Sequence, residues 1–336
     1  MFSLTKLAYH KCSPKDRQRY DTIPGYVTRV DLQDCCKYLL SSNYRPKKME
    51  KTNLCSLAAR NGHADCLRRA HVMGIQWNER TSIAACRGGN VECLQYAHEN
   101  DCPMPGIKLA LASAAAGQLF TLDYLWKNKF DFPRDLCSVA VRSGNVRVLK
   151  YLRQLNFGWY THTTATAAYH NQIECLVYAR EHGSPWDEST CALAARVGSY
   201  ACLVYARRNG CPWDAYTCTY AAFGGHLRIL KYAHRNGCPW GTRSFTAAAA
   251  GGQLKCLKYM LRNGCPQDEW ACAAAAMNGH LTCLKYLHQN GCKWDFHTTY
   301  QAGINKHMKC YKYAMNNGCD WSYWLNRGPI NFSRQQ

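Results

Sequence analysis

Apolar residues recur three and four apart along most of the chain, break at a glycine, and then resume in a second short run. Ser189 to Ala215 shows the pattern. Cys191, Ala194 and Ala195 fall on one face of a helix predicted over Glu188–Val197, and Gly198 ends it in a left-handed position. A second helix, predicted over Tyr200–Arg208, turns Cys202, Leu203, Tyr205 and Ala206 inward, with Arg207 and Arg208 in its last turn, where cations favour the helix dipole. The stretch Asn209-Gly210-Cys211-Pro212-Trp213-Asp214 closes the unit. There Gly210 stops the helix, Pro212 stiffens the turn, Trp213 is expected to plug the groove between units, and Asp214 is placed to cap the next helix.

The same unit recurs every 27 residues, ten times over. Cys175-Leu176, Cys202-Leu203, Cys256-Leu257 and Cys283-Leu284 all keep that phase, and a single inserted residue within Pro103 to Lys108 is its one interruption. The Ala194 position is alanine in nine units and Ser113 in the other, so a neighbouring backbone must pass close to it. The Gly198 position is glycine except at Asn171 and Lys306. Asn78, Asp187, Asp268 and Asp295 share the capping slot of Asp214, and Ser322 repeats it near the end.

Helices this short are marginal alone, because nucleation is costly below ~12–15 residues. Each pair must therefore lean on the next. The expected fold is an all-α solenoid of about ten helix–loop–helix units, a rod or arc about 80–100 Å long at ~8–10 Å per packed helix. Residues 1–51 read as an N-terminal capping segment, in which Asp34 to Leu39 resembles one more second helix. Residues 52–323 are the tandem units and 324–336 a cap and tail, with Trp321 to Gly328 resembling a last first helix.

Composition changes the picture in two ways. Forty-two Lys plus Arg against 22 Asp plus Glu give a net charge of +20, a field that favours acidic partners or nucleic acid. Of the 22 cysteines, 18 fall into columns with Cys191, Cys202 and Cys211, and none shows C-x-x-C spacing, so they read as small buried packing residues and not as metal ligands or disulfides. No run is apolar enough for a membrane helix and Met1 to Lys15 lacks the features of a secretory signal, so an intracellular protein, cytoplasmic or nuclear, is expected.

The frame Thr190-Cys191-Ala192-Leu193-Ala194-Ala195-Arg196-Val197-Gly198, and more closely Ala58-Ala59-Arg60-Asn61-Gly62-His63, resembles the ankyrin repeat, over about residues 52 to 323. The usual unit has about 33 residues, and the six missing here correspond to the β-hairpin finger, so no fingers are expected. The Cys-Pro-Trp-Asp variety looks like the divergent ankyrin-type proteins of giant DNA viruses and some protists. That resemblance implies a monomeric protein-binding scaffold without catalysis or cofactors.

His63, His226, His280 and His307 share a column with Asn90, Gln118, Asn145 and Ser199, which reads as a turn-bracing slot and not as catalytic. Lys150, Lys231, Lys258, Lys285 and Lys312 form a row on the second helices, read first as a solvated face that could still meet phosphates. The columns that vary most lie on the first helix at i, i+4 and i+7. They supply the candidate partner-binding residues: Arg60, Arg80, Arg87, Lys108 and Arg142, then Tyr169, Arg196, Tyr216, Tyr220, Phe223, Trp270 and Met277. Aromatics and arginine are frequent interface anchors, so a protein laid along this strip is the first functional expectation. Binding of nucleic acid, driven by charge, is the second. A ubiquitin-ligase substrate receptor is the third, and Met1 to Lys51 shows no leucine-rich box of the kind that role needs.

Overall fold

The computed structural model describes Cys35 and residues 48–319, with side chains from Leu54 onward. Of the terminal expectations, Asp34 to Leu39 falls within the described residues only at Cys35, which is helical and buried. Ser322 and Trp321 to Gly328 lie outside them.

Described residues form helices joined by short loops, with no strand among them. The chain divides into two compact units, Met1–Gly158 and Trp159–Gln336. In the first, four helix pairs follow one another: α1 (Lys48–Arg60) with α2 (Ala64–Val72), α3 (Glu79–Gly88) with α4 (Val91–Glu99), α5 (Gly106–Ala115) with α6 (Leu119–Lys127), and α7 (Leu136–Ala140) with α8 (Val146–Gln154). In the second there are six: α9 (Thr161–Tyr169) with α10 (Ile173–Glu181), α11 (Glu188–Val197) with α12 (Tyr200–Arg208), α13 (Ala215–Phe223) with α14 (Leu227–Arg235), α15 (Thr242–Ala250) with α16 (Leu254–Arg262), α17 (Trp270–Met277) with α18 (Leu281–Gln289), and α19 (Phe296–Ile304) with α20 (Met308–Asn316). Helices α11 and α12 end where the periodicity places them.

Within each unit first helices pack on first helices and second on second, and the first-helix row is the more closely packed. Small residues allow this. Ala58, Ala85, Ser113 and Ala140 in one unit, and Ala167, Ala194, Ala221, Ala248, Ala275 and Ala302 in the other, are all fully buried. Backbones meet at the ends of these helices, where a Cβ on Gly251 would stand 2.1 Å from the Phe223 carbonyl oxygen.

The turns obey one backbone rule. Gly198 (φ +81°) and its column are left-handed throughout, including Asn171 (φ +57°) and Lys306 (φ +62°), which replace the glycine. The closing bond is the wrapped one, Ser199 N–H to the Ala194 carbonyl at 2.9 Å. Side-chain oxygens of Asn78, Asp187, Asp214, Asp268 and Asp295 each accept from a backbone N–H two residues on, as capping requires.

Cysteine has a directional role that its column alone does not announce. The thiols of Cys102, Cys211, Cys238, Cys265, Cys292 and Cys319 each donate to a carbonyl 24 residues back, that of the preceding loop's capping residue or its equivalent, at 3.0–3.6 Å. The tryptophans lie in the groove between repeats, as expected, but Trp213 and its equivalents are only half-buried there. Trp213 lies between Arg207 of its own unit (4.1 Å) and Tyr232 of the next (6.3 Å), and the same arginine donates to the Cys211 carbonyl at 2.6 Å. In other units histidine replaces the arginine: His234 stacks on Trp240 at 3.8 Å, and its Nδ1 meets the Tyr259 hydroxyl at 2.8 Å.

Two consequences can be measured. Replacing Ala194 by leucine drives a side chain into the α9 and α13 backbones and should cost about 1–3 kcal/mol, read as a lower urea midpoint; an unchanged midpoint would contradict the close approach. Burial pushes the thiols of Cys55, Cys86, Cys93, Cys175 and Cys265 from near 9 up to about 12. A folded-state value raised in this way stabilises the fold below pH 9, and that contribution is lost as pH rises from 9 towards 12, at about 1.4 kcal/mol per pH unit for each titrating thiol. The melting temperature should therefore hold between pH 7 and 8.5 and fall steeply by pH 10. Equal midpoints at pH 7 and 10 would refute it.

Candidate functional site

The variable first-helix columns emerge on the surface of both units. In the first unit Arg60, Arg80, Arg87, Lys108 and Arg142 are exposed. They are not equivalent charges. Lys108 is paired with Glu79 at 2.8 Å, so part of the basic character expected there is already neutralised. The carbonyls of Arg60 and Arg87 accept from Asn90 and Gln118 of the following pair. That is the bracing role expected of the column holding His63, and His226 plays the same part on the Arg196 carbonyl at 3.2 Å.

In the second unit the strip is aromatic. Tyr169 is 39% exposed, Tyr216 45%, Phe223 52%, Trp270 48% and Met277 39%, while Tyr220 is half-buried. At the same helical positions other repeats carry Ala247 and Ala274 (for Tyr220), Ala250 (for Tyr169, Phe223 and Met277) and Ser189 (for Tyr216 and Trp270), so packing does not require a large side chain there. The arginines are held by rings. Arg196 lies over Tyr169 (6.0 Å) and Tyr220 (5.7 Å), and Arg243 lies over Tyr216 (5.6 Å) while donating to its hydroxyl at 3.0 Å. Between α15 and α17 these side chains rim a shallow trough of about 620 Å³, with Arg243, Trp270 and Met277 at its edge and alanines in its floor.

The second-helix lysines have internal partners. Lys231, Lys258 and Lys285 each stand over the tyrosine ring of the next pair, at 5.5–5.6 Å.

Two features escaped sequence reasoning. Phe120 is 75% exposed beside a second shallow trough in the first unit that also touches Glu92, Asp123 and Lys127. Its column otherwise holds polar or charged residues, among them Asp65, Glu92, Arg147, Glu174, Arg228 and Lys255, apart from Ala201, and a large ring in that column was the available signal. Secondly, Cys35, His63 and Cys66 bring two thiols and an imidazole within 4.8 Å of one another. Such soft donors suit zinc, and these are the residues that could hold a metal. The Cys35 thiol already meets His63 Nδ1 at 3.2 Å, a hydrogen bond that serves both groups. Spacing could not reveal the cluster, because Cys35 lies 28 and 31 residues from His63 and Cys66, unlike any recognised metal-binding spacing.

Among the described residues no helix is long and apolar enough to cross a membrane. No family model and no curated protein matches the chain. Among solved structures it is similar to the human ASB11 ankyrin repeat domain, at 17% identity and a TM-score of 0.40, over 47% of this chain and 84% of that one.

Proposed function

We propose that the chain is a non-enzymatic repeat scaffold that binds a protein partner along the first-helix face of its second unit. The observation that carries this is the exposure of Tyr216, Phe223, Trp270 and Met277 at positions where the same array elsewhere holds small or polar residues, Asn53 and Ser189 in the column of Tyr216 and Trp270, Ala115 and Ala250 in that of Phe223 and Met277. Exposed apolar groups on a surface of this kind call for a reason, and aromatic residues with arginine between them are the usual anchors of interfaces. The resemblance of the sequence to divergent viral ankyrin-type repeats extends the proposal to a viral protein acting on host factors.

The +20 charge supports a second reading, a nucleic-acid binder using the second-helix lysines. That reading ranks lower, since three of those lysines lie over tyrosine rings of the chain itself. A ubiquitin-ligase adaptor role would need a module in Met1 to Lys51, almost all of it outside the described residues.

Affinity capture with the full chain at two salt concentrations, followed by mass spectrometry, tests the first reading. The double variant Tyr216→Ala plus Phe223→Ala should lose about thirtyfold or more in capture while helical content by circular dichroism stays the same; undiminished capture would sink the placement. The second reading predicts a gel shift with DNA or RNA at ~50 mM salt that fades steeply as salt rises. Absence of any shift removes it.

A further inference from the structure

The trough between α15 and α17 combines a charge and an apolar surface in a way that specifies a ligand. Arg243 at its head is exposed, and among the described residues no carboxylate is paired with it. Its guanidinium is instead fixed by the Tyr216 ring and hydroxyl. One of five N–H donors is used in that contact, which leaves a planar fork suited to a carboxylate and already held in place. By contrast, Arg68 and Lys108 in the first unit are each paired with a glutamate.

The remainder of the trough is mostly apolar, with Thr242, Thr246 and Gln301 as its other polar lining residues. Its floor is made by Ala247, Ala250 and Ala274, and Trp270 and Met277 rise beside it. Trp270 is steadied by His297, ring to ring at 4.7 Å. The volume of about 620 Å³ is in the range of binding clefts and exceeds what one side chain fills. Asp268 also borders the trough, but its carboxylate is engaged by the Trp270 backbone N–H at 3.1 Å.

We infer that the trough binds an extended acidic segment of a partner protein, with a carboxylate on Arg243 and an adjacent large apolar side chain on the alanine floor against Trp270 and Met277. This inference rests on the protein-binding reading above and narrows it to a partner chemistry.

Fluorescence anisotropy with the full chain and four labelled 12-residue peptides in a Gly/Ser background tests it. The peptides carry Glu-Leu-Glu-Phe, Gln-Leu-Gln-Phe, Glu-Ser-Glu-Ser or Lys-Leu-Lys-Phe. The first should bind about tenfold more tightly than any of the others. Arg243→Gln should abolish its advantage over the Gln-Leu-Gln-Phe peptide, Trp270→Ala should weaken both, and Arg262→Gln, on an exposed second-helix end, should change neither. Equal binding of the acidic and neutral peptides, or an effect of Arg262→Gln as large as that of Arg243→Gln, overturns the inference and leaves only general charge attraction. If Trp270→Ala weakens binding while Arg243→Gln does not, the acid preference is wrong and the first-helix face still binds. If no peptide binds, the inference is wrong, and the capture experiment on Tyr216 and Phe223 decides the broader reading alone.

Discussion

Close contact between successive first helices is the constraint from which the rest of the structure follows. It requires a residue no larger than alanine or serine at one position per repeat, and it requires the chain to leave each helix abruptly, before the next backbone arrives. Both demands appear together at the α13–α15 junction, where Ala221 and Ala248 are fully buried and Gly251 lies against the Phe223 carbonyl. The left-handed residue after each helix is the means of leaving. Asn171 and Lys306 adopt it with a side chain present, so the geometry is set by the stack and glycine is its cheapest occupant.

With the helices so fixed, the second-helix side becomes a place of aromatic and cationic contacts between neighbours. The Arg207–Trp213–Tyr232 and His234–Trp240–Tyr259 stacks occupy equivalent places with different chemistry. Any flat group that prefers a ring face and tolerates water is accepted. The first-helix row is then the side left to vary, and there the two units diverge: basic in the first, aromatic in the second.

Much of this was legible in the amino-acid order. Repetition made the bounds of α11 and α12, the Asp214 cap and the alanine column readable, because each depends on a local residue type multiplied by a period. The twelve strip residues were found by the same logic, as deviations within a constant frame, and they are surface residues in the structure. What escaped was pairwise and directional. Nothing in the spacing says that Cys211 donates to the Asp187 carbonyl, that Lys108 is paired with Glu79, or that Cys35 meets His63. The half-buried state of Trp213 was missed because a large ring at a loop suggests a plug, whereas cations and tyrosine rings sandwich it while one edge remains wet.

The thiol-to-carbonyl bonds with their fixed reach of 24 residues carry a consequence for how such a chain can change. Every donor finds its acceptor by looking back one module, never further, so excising or duplicating a whole module joins each thiol to an equivalent oxygen and orphans nothing in the interior. Lengthening or shortening by genetic recombination in whole modules is thereby tolerated, whereas an indel of a few residues inside one would break the register of its loop. The single extra residue between Pro103 and Lys108 sits in a Pro/Gly turn, beyond the reach of the Cys102 thiol's bond to Asn78, where such a slip does least harm.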